Sequence, residues 1–358
     1  MAVSALDSRI FRNLFGTREI RDIFTDDAYV KCLIEVEAAL ARAQSKTGVI
    51  PSAAGDMITD TFANIELDIL RHLERVEEIK QRCLLVQFGG AAGTIASLGS
   101  DDTGLRVREQ LAIELGLQSP PITWHVARDN VAEVTNFLAL IGGTLGKIAM
   151  DLMIMSSNEF DEVSEPFVPH RGASSTMPQK RNPISSEVIL AASKMLRANA
   201  SLGLDAMITD FERASGPWHL EWVAVPDSFV TAVGALHQTN FALSGLVVKT
   251  DSMERNLRST RGLIVGEAVM MALAPHIGRQ KAHDEVYEAC KSAIEQDKSL
   301  LEALKDSPVL TSVFTPEKLA ALCDPLEYMG ASQLMVDEMV KRSKSLAALK
   351  NNVYTNGH

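Results

Sequence analysis

Three long segments repeat their apolar residues at three- and four-residue steps without a slip, and no other feature of the chain restricts its fold so tightly. The first carries Val131, Val134, Leu138, Ile141, Leu145, Ile148, Leu152 and Met155. The second carries Ile184, Val188, Ala191, Met195, Ala198 and Leu202, and the third Phe229, Val233, Leu236, Asn240, Leu243 and Val247. A 3.5-residue period places each set along one stripe of a helix, as in packed bundles. Helices of about 25 residues are roughly 37 Å long, so such rods need partners along their whole length. Their apolar surface points to helix packing between subunits as well as within one. Gly142, Gly143 and Gly146 would let a neighbouring helix approach closely. Lys147 and Asp151 interrupt the first apolar run, and no stretch reads as a membrane span.

Around this bundle the helices are shorter. Asp27 to Gly48 reads as an amphipathic helix through Val30, Leu33, Val36 and Leu40, stopped by Gly48. After Thr250 the helices break at Gly262, Pro275, Gly278, Pro308 and Pro325. No alternating strand pattern of useful length occurs, and the tail from Asn351 to His358 reads as frayed. The expected architecture is all-α in three domains: residues 1–66, a central long-helix bundle over 67–249, and residues 250–358. A length of 358 residues supports this, and 46% hydrophobic with only 5% aromatic residues suits helices rich in Ala, Leu, Val and Ile. The net charge of −11 argues against a nucleic-acid surface, so an anionic ligand must meet a local cationic pocket. Cys32, Cys83, Cys290 and Cys323 show no CxxC spacing, and Met1 to Arg9 has no secretory apolar run. Both suggest a cytoplasmic protein with reduced thiols.

Between the first two long segments stands Gly172-Ala173-Ser174-Ser175-Thr176-Met177-Pro178-Gln179-Lys180-Arg181-Asn182-Pro183. A Ser-Ser or Lys-Arg pair alone is an ordinary polar loop. The whole string places hydroxyls, two cations and an amide where a long helix begins. Asn182 is expected as N-cap and Pro183 as first helical residue. The positive helix end, Lys180 and Arg181 would then face one anion, a dicarboxylate or tricarboxylate.

Other candidates are weaker. Gln87 to Thr94 is a small-residue loop without the ending of a phosphate loop. It is either a turn beside packed helices or a set of N–H groups and Thr94 facing a carboxylate. Trp124, His125 and Arg128 precede the first long segment, and Trp218, His219, Glu221 and Trp222 precede the third. A lone His is more often structural, but two Trp-His pairs leading into bundle helices point toward a pocket. His72, His237, His276 and His283 have no metal-site spacing, and His219 with Glu221 is not HExxH, so no metal is expected.

The loop resembles the signature of the fumarase/aspartase superfamily, Ser-Ser-x-Met-Pro-x-Lys-x-Asn-Pro. Gln87 to Thr94 followed by Ala96-Ser97-Leu98-Gly99 resembles its 3-carboxy-cis,cis-muconate cycloisomerase branch. So do Trp124-His125 with Arg128-Asp129, Thr144 to Ala149, Gly278 to His283, and Asp324-Pro325 to Gly330. The resemblance implies a homotetramer on a central helix bundle, with active sites shared by several subunits. It implies Ser174 as the catalytic base, with Ser175 beside it, and Lys180 and Asn182 as substrate-binding residues. Arg181, Thr94, Trp124, His125, Arg128, His219 and Glu221 are further binding candidates. The chain departs from the family pattern between Leu70 and Arg71, where it is short by about ninety residues. That segment carries the family's acid/base histidine and a threonine.

The implied reaction is lactonisation of 3-carboxy-cis,cis-muconate, with no redox or organic cofactor. A sulfonated muconate would meet the same cations. An adenylosuccinate-lyase-like C–N lyase is the nearest rival. Those enzymes carry small hydroxyls and an arginine where this chain has the bulky Trp218 and Trp222, which favours a compact substrate without phosphate. A structural paralogue that lost the chemistry is the alternative from another class.

Overall fold

The structure, a computed structural model, describes residues 71–168, 176–177, 180–212 and 216–342. The expected domain over 1–66, the helix from Asp27 to Gly48, and the tail lie outside the described residues. Among the described residues the fold is all-α apart from one two-residue ladder and isolated bridging such as that of Leu85 with Gln118. Helix α1 covers residues 71–83, and α2 is Thr103–Leu115. The three long segments become α3 (Asp129–Met155), α4 (Ile184–Asp205) and α5 (Glu221–Ser244). These three pack together as the central bundle.

The repeats predict the three helices, except that Val247, placed on the third, lies in a two-residue strand beyond the end of α5 at Ser244, and they mark the inward face only on α3. There Leu138, Leu145, Ile148 and Leu152 are at most 7% exposed. On α4 the repeat faces outward: Val188 and Met195 are 45% and 50% exposed. The buried face of α4 lies one position further on, at Ser185, Ile189, Ala192, Leu196, Asn199 and Gly203. Helix α5 buries Ala224, Ser228, Ala232, Ala235, Thr239 and Ala242 and leaves Phe229 half exposed. On α5 small residues let the backbones approach and displace the bulkier apolar stripe, whereas the buried face of α4 keeps Ile189 and Leu196.

The glycines of α3 divide the same way. A Cβ on Gly142 would lie 2.6 Å from Leu196 Cδ1, and one on Gly146 2.8 Å from Ser193 Oγ, so both are needed for contact with α4. Gly143 has nothing within 4 Å and faces out. Asn199 donates to Asp227 at 2.6 Å and ties α4 to α5.

The start of the third helix is corrected: α5 begins at Glu221 and runs through Pro226, well before Phe229. Helix α3 has the length and mean hydropathy of a membrane span, but Lys147 and Asp151 lie within it, as the sequence indicates. Its apolar residues are instead used against α4 and α5, in a core that includes Leu145, Ile148, Ile189 and Leu246.

Two short strands, β1 (Val163–Ser164) and β2 (Val247–Val248), pair antiparallel and tie the chain after α3 to the chain after α5. Beyond them come α6 (Thr250–Arg258), α7 (Gly266–Ile277), α8 (Arg279–Glu295) and three short helices, α9 (Leu300–Lys305), α10 (Pro308–Val313) and α11 (Pro316–Leu322). They enclose a second core around Val269, Leu273, Leu300, Leu304, Leu310 and Leu319. The breaks fall at Gly262 and Gly278, both at positive φ. Pro308 starts a helix, but Pro275 lies inside α7 and does not end it.

Candidate active site

The sequence candidates fall at two ends of the bundle. At the C-terminal end of α3 and the N-terminal end of α4 lies a polar cavity of about 940 Å³. Its lining includes Met177, Lys180, Arg181 and Asn182, together with Glu165, Phe167 and Lys249. Ser174 and Ser175 lie outside the described residues. Lys180 is exposed, and among the described residues it forms no ion pair. Arg181 sits over the Phe167 ring, 4.6 Å from its centroid. Lys249 is paired with Asp161.

The start of α4 differs from expectation. Pro183, not Asn182, is the N-cap, and it offers no side-chain bond. The free N–H groups are met by Glu165, whose carboxylate accepts from Ser185 N (3.1 Å), Ser186 N (2.8 Å) and Ser186 Oγ (2.8 Å). The positive end of the helix is therefore already neutralised by a protein carboxylate. The sequence reading missed Glu165 because it lies 20 residues from its partner. An acid shortly before a signature loop was the only signal available.

At the other end of α3 the remaining candidates cluster. Arg128 and Glu221 form a two-pronged ion pair, with Nε to Oε1 at 2.7 Å, and their side chains are only 11% and 7% exposed. These two predicted substrate-binding charges therefore satisfy each other across the starts of α3 and α5. The Arg128 guanidinium also lies over the Trp124 ring at 5.3 Å. Trp124 Nε1 donates to Val86 O at 3.0 Å. His125 meets Trp218 edge-on at 5.4 Å, and His219 and Trp222 rings are 4.6 Å apart. All three tryptophans of the chain thus belong to one cluster.

The small-residue loop before it is small for packing reasons. A Cβ on Gly89 would lie 2.7 Å from Thr123 Cγ2. Thr123 Oγ1 donates to Gly93 O at 2.9 Å, and Thr94 is exposed. The two ends of α3 are about 40 Å apart at 1.5 Å per residue. One subunit does not bring Lys180 and His125 together.

On α1, His72 bonds Thr144 Oγ1 at 2.9 Å. Burial, helped by Arg75 and Arg71, lowers its pKa to about 4. It lines an apolar groove of about 340 Å³ with Val76, Phe137, Ile141, Phe229 and Val233. Among the described residues no group of three or more His, Cys, Asp or Glu could hold a metal.

A bundle of three long helices with a polar cavity where the second begins defines a lyase-type all-α architecture. The sequence profile described as "Lyase" matches residues 58–196, and "Adenylosuccinate lyase C-terminus" matches 262–339. An uncharacterised protein of Schizosaccharomyces pombe is 35% identical over 447 positions, covering 95% of this chain and all of its own. Trans-aconitate decarboxylase 1 of Mycosarcoma maydis is 44% identical over 77% of this chain and 55% of its own. The 3-carboxy-cis,cis-muconate cycloisomerase of Acinetobacter baylyi is 40% identical, with 77% and 61% covered. The crystal structure of the Pseudomonas putida 3-carboxy-cis,cis-muconate lactonizing enzyme superposes with TM-score 0.74 at 26% identity, covering 94% of this chain and 99% of that one. The chain belongs to the fumarase/aspartase superfamily. It spans little more than half the length of the decarboxylase and cycloisomerase it matches. The match to the fission-yeast protein runs over 447 positions against 358 residues here, so at least 89 of those positions hold no residue of this chain (447 less 358).

Proposed function

We propose that the protein is a cycloisomerase that lactonises 3-carboxy-cis,cis-muconate to a carboxymuconolactone, in protocatechuate degradation in the cytoplasm. The observation that carries the reading is Lys180, a cation without an ion-pair partner among the described residues, on the wall of a polar cavity. Arg128 is engaged by Glu221, which leaves Lys180 and Arg181 as the cations of the signature segment for a substrate carboxylate.

The substrate brings its own nucleophile. One carboxylate oxygen adds to the conjugated double bond, a C–O bond forms, and the displaced π electrons are taken up by a proton at the adjacent carbon. The protein orients the chain, stabilises the developing negative charge with Lys180, and moves the proton. Ser174 is the proposed base for the reverse step. His125 and His219 are the proposed proton donors, since the family's histidine lies in the segment this chain lacks. They stand at the far end of α3, so the reading requires a second subunit to complete the site. The half-exposed Val188 and Met195 on α4, with the open Gly143 on α3, support a homotetramer. A stable monomer at micromolar concentration in light scattering would refute that assembly.

The 44% match favours a second reading, decarboxylation of trans-aconitate, another unsaturated tricarboxylate. One experiment separates them, on protein whose intact mass is 38.9 kDa. Loss of diene absorbance from 3-carboxymuconate without CO₂ release supports lactonisation. CO₂ release from trans-aconitate alone supports decarboxylation. Activity on 3-sulfomuconate or adenylosuccinate in place of both would redirect the assignment, and no turnover of any of them would favour a non-catalytic paralogue.

A further inference from the structure

The signature loop joins two stems, one ending near residue 168 and one beginning near 180, and the stems touch twice. Phe167 carries the Arg181 guanidinium at 4.6 Å. Glu165 accepts the three hydrogen bonds from Ser185 and Ser186, both fully buried. The stem that carries Glu165 is itself held from the opposite side. Strand β1 pairs with β2, Lys249 N donates to Glu162 O at 2.8 Å, and the Lys249 side chain is paired with Asp161. Asn256 of α6 donates to Phe160 O at 2.8 Å and to Glu162 Oε1 at 2.9 Å. Residues 160–165 therefore form a braced strut between the ends of α3 and α5. Glu165 transmits that bracing to the first turn of α4.

Lys180 and Asn182 lie only five and three residues before Ser185. Lys180 is exposed, its amide donates to Met177 O at 3.0 Å, and Asn182 O accepts from Ile184 N at 2.9 Å, so both are tied to the chain that enters α4. We infer that Glu165 is a positioning residue. Its carboxylate fixes the N-terminus of α4 and so sets where Lys180 and Asn182 stand in the cavity. The other acids of the cavity have different placements. Asp161 is paired with Lys249, and Glu159 is exposed on the rim. The inference rests on the proposed function only for its turnover readout.

The test uses Glu165→Gly, Glu165→Gln and Glu165→Asp in the full chain, with hydrogen exchange and turnover measured side by side. Glu165→Gly should speed amide exchange at 180–186 at least about tenfold, while the middle of α3 exchanges as in the wild type. Turnover should fall at least about 10- to 100-fold, the range for a single lost hydrogen bond to a charged group, since Glu165 accepts three. Sodium formate should restore both, and sodium chloride at equal ionic strength should not, because formate refills the carboxylate position. Glu165→Asp should keep part of the turnover. Glu165→Gln should lose turnover without formate rescue, because its amide fills the space. If the glycine variant fails to fold, the glutamine and aspartate variants carry the comparison. Wild-type exchange at 180–186, changed exchange with wild-type turnover, or formate no better than chloride would each overturn the inference. If the wild type turns over no tested substrate, the proposed function fails, while exchange at 180–186 and its response to formate still decide Glu165.

Discussion

Gly203 gives the sharpest test of the bundle geometry. A Cβ there would lie 2.2 Å from Thr135 Oγ1 and 3.2 Å from Thr135 Cβ. Thr135 cannot easily move away: it is fully buried, β-branched, and its hydroxyl donates to Ala132 O at 3.0 Å. Inserting a methylene-sized group into such a contact costs about 1–3 kcal/mol. Replacing glycine inside a helix returns about 1 kcal/mol. Because Thr135 cannot give way, the upper part of that cost, about 2–3 kcal/mol, applies, so the net loss for Gly203→Ala should be about 1–2 kcal/mol, or a Tm lower by roughly 2–8 °C in a unit of this size. Thermal unfolding followed by circular dichroism measures it. Adding Thr135→Ala should recover much of the Gly203→Ala loss relative to Thr135→Ala alone, because the clash is gone. Gly143→Ala is the control on a solvent-facing site. In an isolated subunit it should stabilise by up to about 1 kcal/mol. In the proposed tetramer it should destabilise, and dissociation should appear in light scattering. A Gly203→Ala protein as stable as the wild type would refute the close approach of α3 and α4.

Breaking the buried Arg128–Glu221 pair at one side, by Arg128→Ala, should cost about 3–5 kcal/mol in urea unfolding. Arg128→Met with Glu221→Leu should cost far less, and equal losses for single and double variants would show the pair is not isolated from water. Lys180→Ala should weaken anion binding with little effect on Tm, and added salt should imitate it in part. Ser174→Ala should lower turnover by roughly two to four orders of magnitude; full retention would leave the loop as a helix cap only. The His72 pKa falls from 6.5 to about 4 on folding, so the unfolded chain binds the proton first. Its contribution to stability is complete above about pH 6.5 and is lost as the pH falls toward 4. His72→Gln should flatten the stability profile in that window, and an unchanged profile would contradict the burial of the imidazole.

The sequence alone determined the three long helices, because a 3.5-residue period sustained over roughly twenty residues has no other regular solution. It also determined the superfamily, because the string from Gly172 to Pro183 is too specific to arise as a generic cap. The helix breaks at Gly262 and Gly278 were legible for a local reason, backbone freedom at positive φ. What the sequence could not decide is which way each helix faces. On α4 and α5 each helix carries two periodic stripes, and only mutual packing selects the Ile189–Leu196 face of α4 and the alanine face of α5 for the interior. Nor could it pair charges separated along the chain. Arg128 and Glu221, 93 residues apart, read as free ligands for a substrate until the starts of α3 and α5 are brought together. Glu165 was invisible for the same reason, since the helix end it caps lies 20 residues further along the chain. Local rules act over a few residues, whereas electrostatic neutralisation and close packing act wherever the fold places two surfaces in contact.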